Sequence, residues 1–165
     1  MVFKLSRMKM LRPLMRLIIV VSVILTVGFF YAGGYDQSLL SGFIIILCIP
    51  VLPTLYLLIE YFLVTKRQIV EIKDHAIFFK YESGKSYSYN IEDLKGIKLY
   101  KSAGMEKGSF PYQTAEMYYH AELFTKDGKK FIITSIIEPS IEEALSMLGG
   151  TQIEIKRSIY STIYI

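Results

Sequence analysis

The sequence predicts a membrane α-helical hairpin followed by a small, mainly-β domain, on the basis of three observations. Residues 17–65 carry only two charged side chains, Asp36 and Glu60, and are interrupted once, by the polar and glycine-containing residues 33–38. From residue 68 onward, apolar and polar residues alternate in short runs, which is the period of β-strands. After residue 140 the period becomes helical for about two turns.

Two membrane spans fit this apolar stretch. Residues 17–32 are sixteen residues without a charge, and residues 37–59 are twenty-three. A helix needs about 20 apolar residues to cross the hydrocarbon layer, so we predict spans over residues 14–34 and 38–64, together forming a hairpin domain of residues 17–65. This leaves a basic N-terminus, residues 1–16, and a second domain, residues 66–165.

Positive charge flanks the predicted spans on one side only. Cytoplasmic segments are rich in Lys and Arg, so both termini should be cytoplasmic in a multi-pass protein of the cytoplasmic membrane. A cleavable signal peptide is the alternative for the first span. The residues expected at the membrane interface are Lys4, Arg7, Lys9, Arg12, Arg16, Glu60, Lys66 and Arg67.

Glu60 is the one acid within reach of the predicted bilayer. An intramembrane acid is a functional candidate by default. It lies six residues before Lys66, so the alternative is that it reaches the headgroups or pairs with Arg67 or a lysine.

The charge and cysteine content narrow the function classes. Residues 66–165 carry fourteen Lys and Arg against thirteen Asp and Glu, whereas a nucleic-acid-binding domain concentrates basic charge. We therefore expect no nucleic-acid partner.

Cys48 is the only cysteine and lies inside the second span, which excludes an intramolecular disulfide and a thiolate metal site. No cofactor and no metal site is predicted.

Six strands are predicted before the helix. They cover residues 68–73, 76–82, 85–90, 94–102, 116–125 and 129–137. Asp127-Gly128 between the last two is the dipeptide typical of a tight β-hairpin. We expect residues 66–150, or 66–165 if the tail pairs, to fold as a soluble sheet domain without the spans.

A short amphipathic helix is predicted over residues 140–148. Ser140 and Glu143 have the spacing of a capping box, and Ile141, Ala144, Leu145 and Leu148 fall on one face. Gly149-Gly150 should end the helix. Residues 151–165 form an apolar tail whose first part predicts a last strand.

Strands, a hairpin and one capped helix directly behind two spans resemble the bacterial pleckstrin-homology-like (PH-like) domain proteins. The run Ile91-Glu92-Asp93-Leu94-Lys95-Gly96-Ile97 is similar to the entry into the central strand in that family. The resemblance implies a PH-like, partly open barrel of two bent sheets capped by one C-terminal helix. The standard fold has seven strands, so a further strand should come from residues 116–137, from residues 102–115 or from the tail.

Relatives of this fold bind phosphoinositide headgroups through basic residues around the first hairpin. The resemblance places that hairpin at Lys73 and Lys80, which flank Asp74 without an arginine. No lipid-binding residue is therefore assigned.

Catalytic motifs are missing from the sequence. His75 and His120 lack the spacing of a zinc site or a catalytic triad. Gly84-Lys85-Ser86 ends like a phosphate-binding loop, but the glycine required five residues earlier is Phe79. We expect a protein that is not an enzyme.

The predicted function is that of a non-catalytic accessory protein whose membrane-proximal domain docks another protein of a membrane complex. The alternatives are a module that contacts lipid headgroups and a multi-copy effector or channel assembled through the hairpins. The predicted partner-binding residues are Met105, Phe110 and Tyr112, in a long irregular stretch rich in side chains typical of interfaces. This stretch could instead belong to the core or dip into the membrane surface.

Overall fold

A computed structural model describes residues 2–5, 7–32, 37–73, 75–102, 105, 114–149 and 153–163. Its elements are β1 (Val2–Lys4), α1 (Arg7–Ala32), α2 (Gln37–Thr65), β2 (Gln68–Lys73), β3 (Ala76–Tyr81), β4 (Ser86–Asn90), β5 (Leu94–Ser102), β6 (His120–Thr125), β7 (Lys130–Thr134), α3 (Ile141–Ser146) and β8 (Ile153–Ser158). Short 3-10 helices cover Ile91–Asp93 and Thr114–Met117.

The strands form two four-stranded sheets, which we call sheet A and sheet B. Sheet A has the order β1-β2-β3-β4, and sheet B the order β7-β6-β5-β8. The six predicted strands are present, and the bounds of two differ from the prediction by more than one residue. The strand predicted over residues 116–125 begins at His120, because residues 114–117 form a 3-10 helix. The strand predicted over residues 129–137 ends at Thr134, where the chain turns so that Ile136 and Ile137 are buried.

The first strand of sheet A comes from the N-terminus, which the sequence assigned to a basic cytoplasmic segment. Val2, Phe3 and Lys4 pair antiparallel with Glu71, Val70 and Ile69 of β2, and Phe3 is buried in the main core. The missing seventh strand is therefore β1, while the tail adds an eighth strand, β8. Consequently α1 and α2 are an insertion between the first two strands of one sheet.

The main core lies between the two sheets and is closed by α3. Phe79 of β3 stacks on Phe131 of β7 with ring centroids 4.3 Å apart. The four α3 positions predicted to face inward, Ile141, Ala144, Leu145 and Leu148, are all buried in this core. This confirms the predicted small mainly-β domain with a plugging helix.

The two ends of α3 differ from the prediction in one respect. The expected capping box is wrong, because the Ser140 side chain makes no capping bond; instead its backbone N–H donates to the Glu138 carboxylate at 3.0 Å. At the other end Gly149 has φ +69°, a conformation that favours glycine. His75 Nδ1 lies 3.0 Å from the Leu148 carbonyl oxygen, which ties this helix end to the turn between β2 and β3.

The helices α1 and α2 pack against each other and carry apolar side chains on their outer faces. Among the described residues one helical segment, Leu47–Thr65, is long and apolar enough to cross a membrane, and α1 contributes a shorter apolar segment, Leu14–Phe30.

Candidate functional site

A second apolar cluster joins the helical pair to sheet B. Leu57 and Tyr61 of α2 pack against Tyr118, Ile136 and Ile163, and all five are buried. We call this cluster, with the polar groups inside it, the junction. One face of the last two turns of α2 is therefore covered by the domain and the C-terminal tail.

A buried hydrogen-bond network crosses the junction. The Tyr61 hydroxyl donates to the Ser161 carbonyl oxygen at 2.6 Å, and the Ser161 hydroxyl donates to the Tyr100 carbonyl oxygen at 3.0 Å. His120 Nδ1 lies 3.0 Å from the Tyr61 hydroxyl and 2.8 Å from the Ser161 hydroxyl. The His120 ring also stacks on Tyr100 with centroids 4.7 Å apart. One network thus links α2, β5, β6 and the tail.

Burial decides the charge of His120. Each hydroxyl has one proton and lies near both a backbone carbonyl and His120 Nδ1, so the ring tautomer decides whether Nδ1 donates or accepts. Burial lowers the pKa of His120 to about 4, which keeps the ring neutral near pH 7.

Glu60 lies at the edge of the junction. Its side chain is 7% exposed, and the backbone N–H of Ile163 donates to its carboxylate. Within the described part of the chain its second oxygen, Oε2, has no hydrogen-bond partner. Among the described residues Glu60 forms no ion pair with Arg67 or a lysine, because the tail covers this face of α2.

Two further contacts attach the helices to the domain. The Thr65 and Thr134 hydroxyl oxygens lie 2.7 Å apart in a buried hydrogen bond. Arg16 Nη1 lies 2.9 Å from Met117 Sδ, so this predicted interface residue contacts the domain. Together with the junction, these contacts hold the base of both helices.

The other predicted interface residues fall at the same end of the helical pair. Lys4 ends β1, and Lys66 and Arg67 are exposed between α2 and β2. The remaining three, Arg7, Lys9 and Arg12, lie in the first turns of α1.

The predicted partner-binding residues are only partly described. Met105 is half-buried and packs against the main core. Phe110 and Tyr112 lie outside the described residues.

A pocket opens between the β3–β4 turn and β7, with a volume of about 360 Å³. It is lined by aromatic and basic side chains with one serine: Tyr81, Ser83, Lys85, Tyr87, Lys129, Lys130 and Phe131. Lys129 pairs with Asp127 at 2.9 Å and Lys130 with Glu122 at 3.1 Å. The hydrogen bonds of Asp127 to Thr125 and Lys129 lower its carboxyl pKa. Two of the three cations are therefore already neutralised.

No group of three His, Cys, Asp or Glu side chains able to hold a metal ion occurs among the described residues.

The sequence did not identify the junction, because Tyr61 and Ser161 are separated from His120 by 59 and 41 residues. Two hints were present: a histidine inside a strand, and a tyrosine beside the acid at the end of an apolar helix.

Comparison with known protein families assigns the fold. A family model described as PH domain matches residues 2–142, which is most of the chain. The chain belongs to the PH domain family. No curated protein and no solved structure matches it.

The PH domain match begins where β1 begins and ends inside α3. It therefore contains the helical pair, in agreement with an insertion into a PH domain. This corrects the position of the first hairpin, which is β1–β2 with α1 and α2 as its connection. Lys73 and Lys80 belong to the second hairpin, where Lys80 Nζ lies 3.4 Å from Glu71 Oε2.

Proposed function

We propose that this protein is a membrane-anchored PH domain that docks another protein and performs no catalysis. In this proposal α1 and α2 cross the cytoplasmic membrane of a bacterium, and the domain and both termini face the cytoplasm. The observation that carries the proposal is the place of the helical pair. It is inserted between β1 and β2 and is joined to sheet B through the buried junction.

The outer surface of the helices supports membrane insertion. Large apolar side chains are exposed along both helices, on α1 Ile18, Ile19, Val23, Phe29 and Phe30, and on α2 Ile45, Ile49, Leu52, Ile59 and Leu63. Apolar patches of this extent are not left in water by soluble monomers. A helix satisfies its own backbone hydrogen bonds, as a lipid environment requires.

The pairing of β1 with β2 supports the orientation. It brings the chain before α1 and the chain after α2 to the same side, because Lys4 pairs with Ile69. The cations of both flanks then lie at one end of the helical pair, which is the pattern of a cytoplasmic side.

The junction supports a docking role, because it fixes the orientation of the domain on the helices. A flexible linker would let the domain sample many orientations, whereas here only residues 66 and 67 separate α2 from β2. Buried contacts with Tyr61 and Thr65 further fix the angle between helices and sheets. A surface held at a defined height and angle is pre-organised for a partner in the same membrane.

Single-cysteine labelling tests the membrane arrangement. In a Cys48→Ala background, Gln37→Cys, Ser86→Cys and Lys129→Cys are each treated in intact cells with an impermeant thiol reagent. We expect Gln37→Cys to react and the two domain variants to react only after lysis. Reaction of the domain variants in intact cells, with Gln37→Cys protected, would invert the orientation.

Co-purification tests the docking role. The full chain is cross-linked in native membranes, isolated and compared with a chain carrying Tyr61→Ala, which breaks the junction. We expect one protein to be recovered in a fixed ratio with the wild-type chain and reduced with the variant. Recovery of lipid alone from both would contradict the proposal.

A second candidate function, contact with anionic headgroups, is favoured by the pocket between the β3–β4 turn and β7. Lys85 has no ion-pair partner among the described residues. The rings of Tyr81 and Tyr87 in the pocket offer a flat surface for the sugar ring of a lipid headgroup. Titration of the full chain with a soluble inositol trisphosphate tests this function. Binding lost in Lys85→Glu and kept in Lys73→Glu would support it, and absence of binding to the wild-type chain would reject it.

A further inference from the structure

The C-terminal segment, residues 153–163, is an addition to the PH domain. The family match ends at residue 142, before this segment begins. Its strand, β8, pairs parallel with β5 over Ile153–Ser158 and forms an edge of sheet B. None of the six β8 residues is buried, and four are exposed. The strand itself therefore contributes little apolar burial to the domain.

The apolar anchors of the segment lie at its far end. Ser161 and Ile163 are each 1% exposed, and both enter the junction. The Tyr61 hydroxyl donates to the Ser161 carbonyl oxygen at 2.6 Å, and the Ile163 N–H donates to Glu60. Before the two anchors the segment reaches the surface, where Ile159 is 80% exposed.

The groove that receives these anchors has defined requirements. Tyr61 needs a carbonyl acceptor and Glu60 needs an N–H donor, and any extended peptide offers both through its backbone. Two side chains add selectivity. A small hydroxyl is required between His120 Nδ1 and the Tyr100 carbonyl oxygen, and an apolar residue two positions later is required beside Leu57. Without an occupant, Glu60, Tyr61 and His120 would be exposed or left unpaired.

We propose that the groove between α2 and the β5 edge of sheet B is a peptide-binding site that residues 153–163 occupy in the free protein. Its second occupant is an extended segment of a partner protein with serine or threonine followed two residues later by isoleucine or valine. This inference rests on the proposed docking function and names the partner's recognition element. The tethered segment competes at an effective concentration on the order of millimolar, so the partner segment binds well only where it is itself concentrated, as in a shared membrane.

The test uses the full chain in detergent and a fluorescent synthetic peptide of residues 153–163. Ile163→Asp removes the buried anchor of the tethered segment and opens the groove. Ile159→Asp is the matched control, because Ile159 is exposed in the same segment. We expect the peptide to bind the Ile163→Asp chain at least tenfold more tightly than the wild-type or Ile159→Asp chain. A peptide that itself carries Ile163→Asp should not bind. Equal binding to all three chains, or none to a folded Ile163→Asp chain, would overturn the proposal.

Hydrogen exchange of the wild-type chain provides a measurement that needs no variant. If residues 153–163 leave the groove independently, the β8 amides should exchange at least tenfold faster than those of β6, which lies inside the same sheet. Equal protection of the two strands would overturn the proposal. Co-purification separates the docking function from the groove assignment. A partner recovered equally with wild-type and Ile163→Asp chains contradicts the groove assignment alone. The lack of any partner contradicts the docking function.

Discussion

Tyr61→Phe removes one oxygen atom from the junction and leaves the ring. That oxygen donates to the Ser161 carbonyl at 2.6 Å and lies 3.0 Å from His120 Nδ1. His120 keeps its contact with the Ser161 hydroxyl at 2.8 Å, whereas the buried Ser161 carbonyl loses the Tyr61 donor. A lost hydrogen bond that leaves one buried acceptor unsatisfied costs about 1–3 kcal/mol. We take about 2 kcal/mol as the expected loss in free energy of unfolding.

The assay is thermal unfolding of the full chain in detergent, followed by circular dichroism. For a chain of this size about 1 kcal/mol corresponds to about 2–4 °C, so the melting temperature should fall by roughly 4–8 °C. Tyr56→Phe is the matched control, since Tyr56 lies on the same helix but is 57% exposed. Equal melting of Tyr61→Phe, Tyr56→Phe and wild-type chains would refute the buried network and with it the fixed junction.

Four further predictions follow from the fold and the junction. Stability should decrease as the pH falls from about 6.5 to about 4, because unfolded His120 takes up a proton that the folded chain, with its pKa lowered from 6.5 to about 4, excludes. The loss at the acid end should be about 3 kcal/mol, and unfolding curves of His120→Gln should lack this slope. Leu145→Ala should lower the free energy of unfolding by about 2–5 kcal/mol, because Leu145 is buried where α3 plugs the core; denaturant titration showing less than about 0.5 kcal/mol would contradict this packing. Phe110→Ala should weaken partner binding by about 1 kcal/mol or more without changing the melting temperature, whereas lower stability with unchanged binding would assign Phe110 to the core. Residues 66–165 alone should aggregate or unfold, since they lack β1 and the α2 side chains that cover Tyr118 and Ile136; a sharp, soluble melting transition would argue against this role of the helices.

The elements that the sequence predicted are those governed by short-range patterns. Alternation identified β2 to β5, and Asp127-Gly128 identified the hairpin of β6 and β7, where Gly128 has φ +84°. The inward face of α3 followed from its 3.6-residue period. Each of these patterns is set by residues a few positions apart in the chain, so the local sequence is enough to predict the element.

The elements that the sequence missed depend on contacts between distant residues. β1 is three residues long, too short for any period, and it becomes a strand only because β2 lies beside it. The capping box failed although its residue types were correct, because Glu138 provides a competing acceptor for the Ser140 N–H. The prediction that residues 66–165 fold alone followed from placing the N-terminus outside the domain.

The candidate site was hidden for the same reason. The sequence marks Glu60 as the one acid at the end of an apolar helix, but its partner is the backbone of Ile163, which no residue pattern identifies. The spacing of His120 gives no metal site or triad, whereas its neighbours in the fold come from α2 and the tail.

The insertion of the helical pair between β1 and β2 is tested most directly by a cross-link in native membranes. Val2 and Glu71 are paired residues of β1 and β2, and paired residues of antiparallel strands lie about 4.5–5.5 Å apart between Cα atoms, within reach of a disulfide. In a Cys48→Ala background, oxidation of the Val2→Cys/Glu71→Cys chain should yield a linked pair of tryptic peptides by mass spectrometry. Val2→Cys/Ser88→Cys, whose second position lies on β4 about 14 Å away, should yield none. Absence of the first link, or equal yield of both, would contradict a PH domain that contains the helical pair.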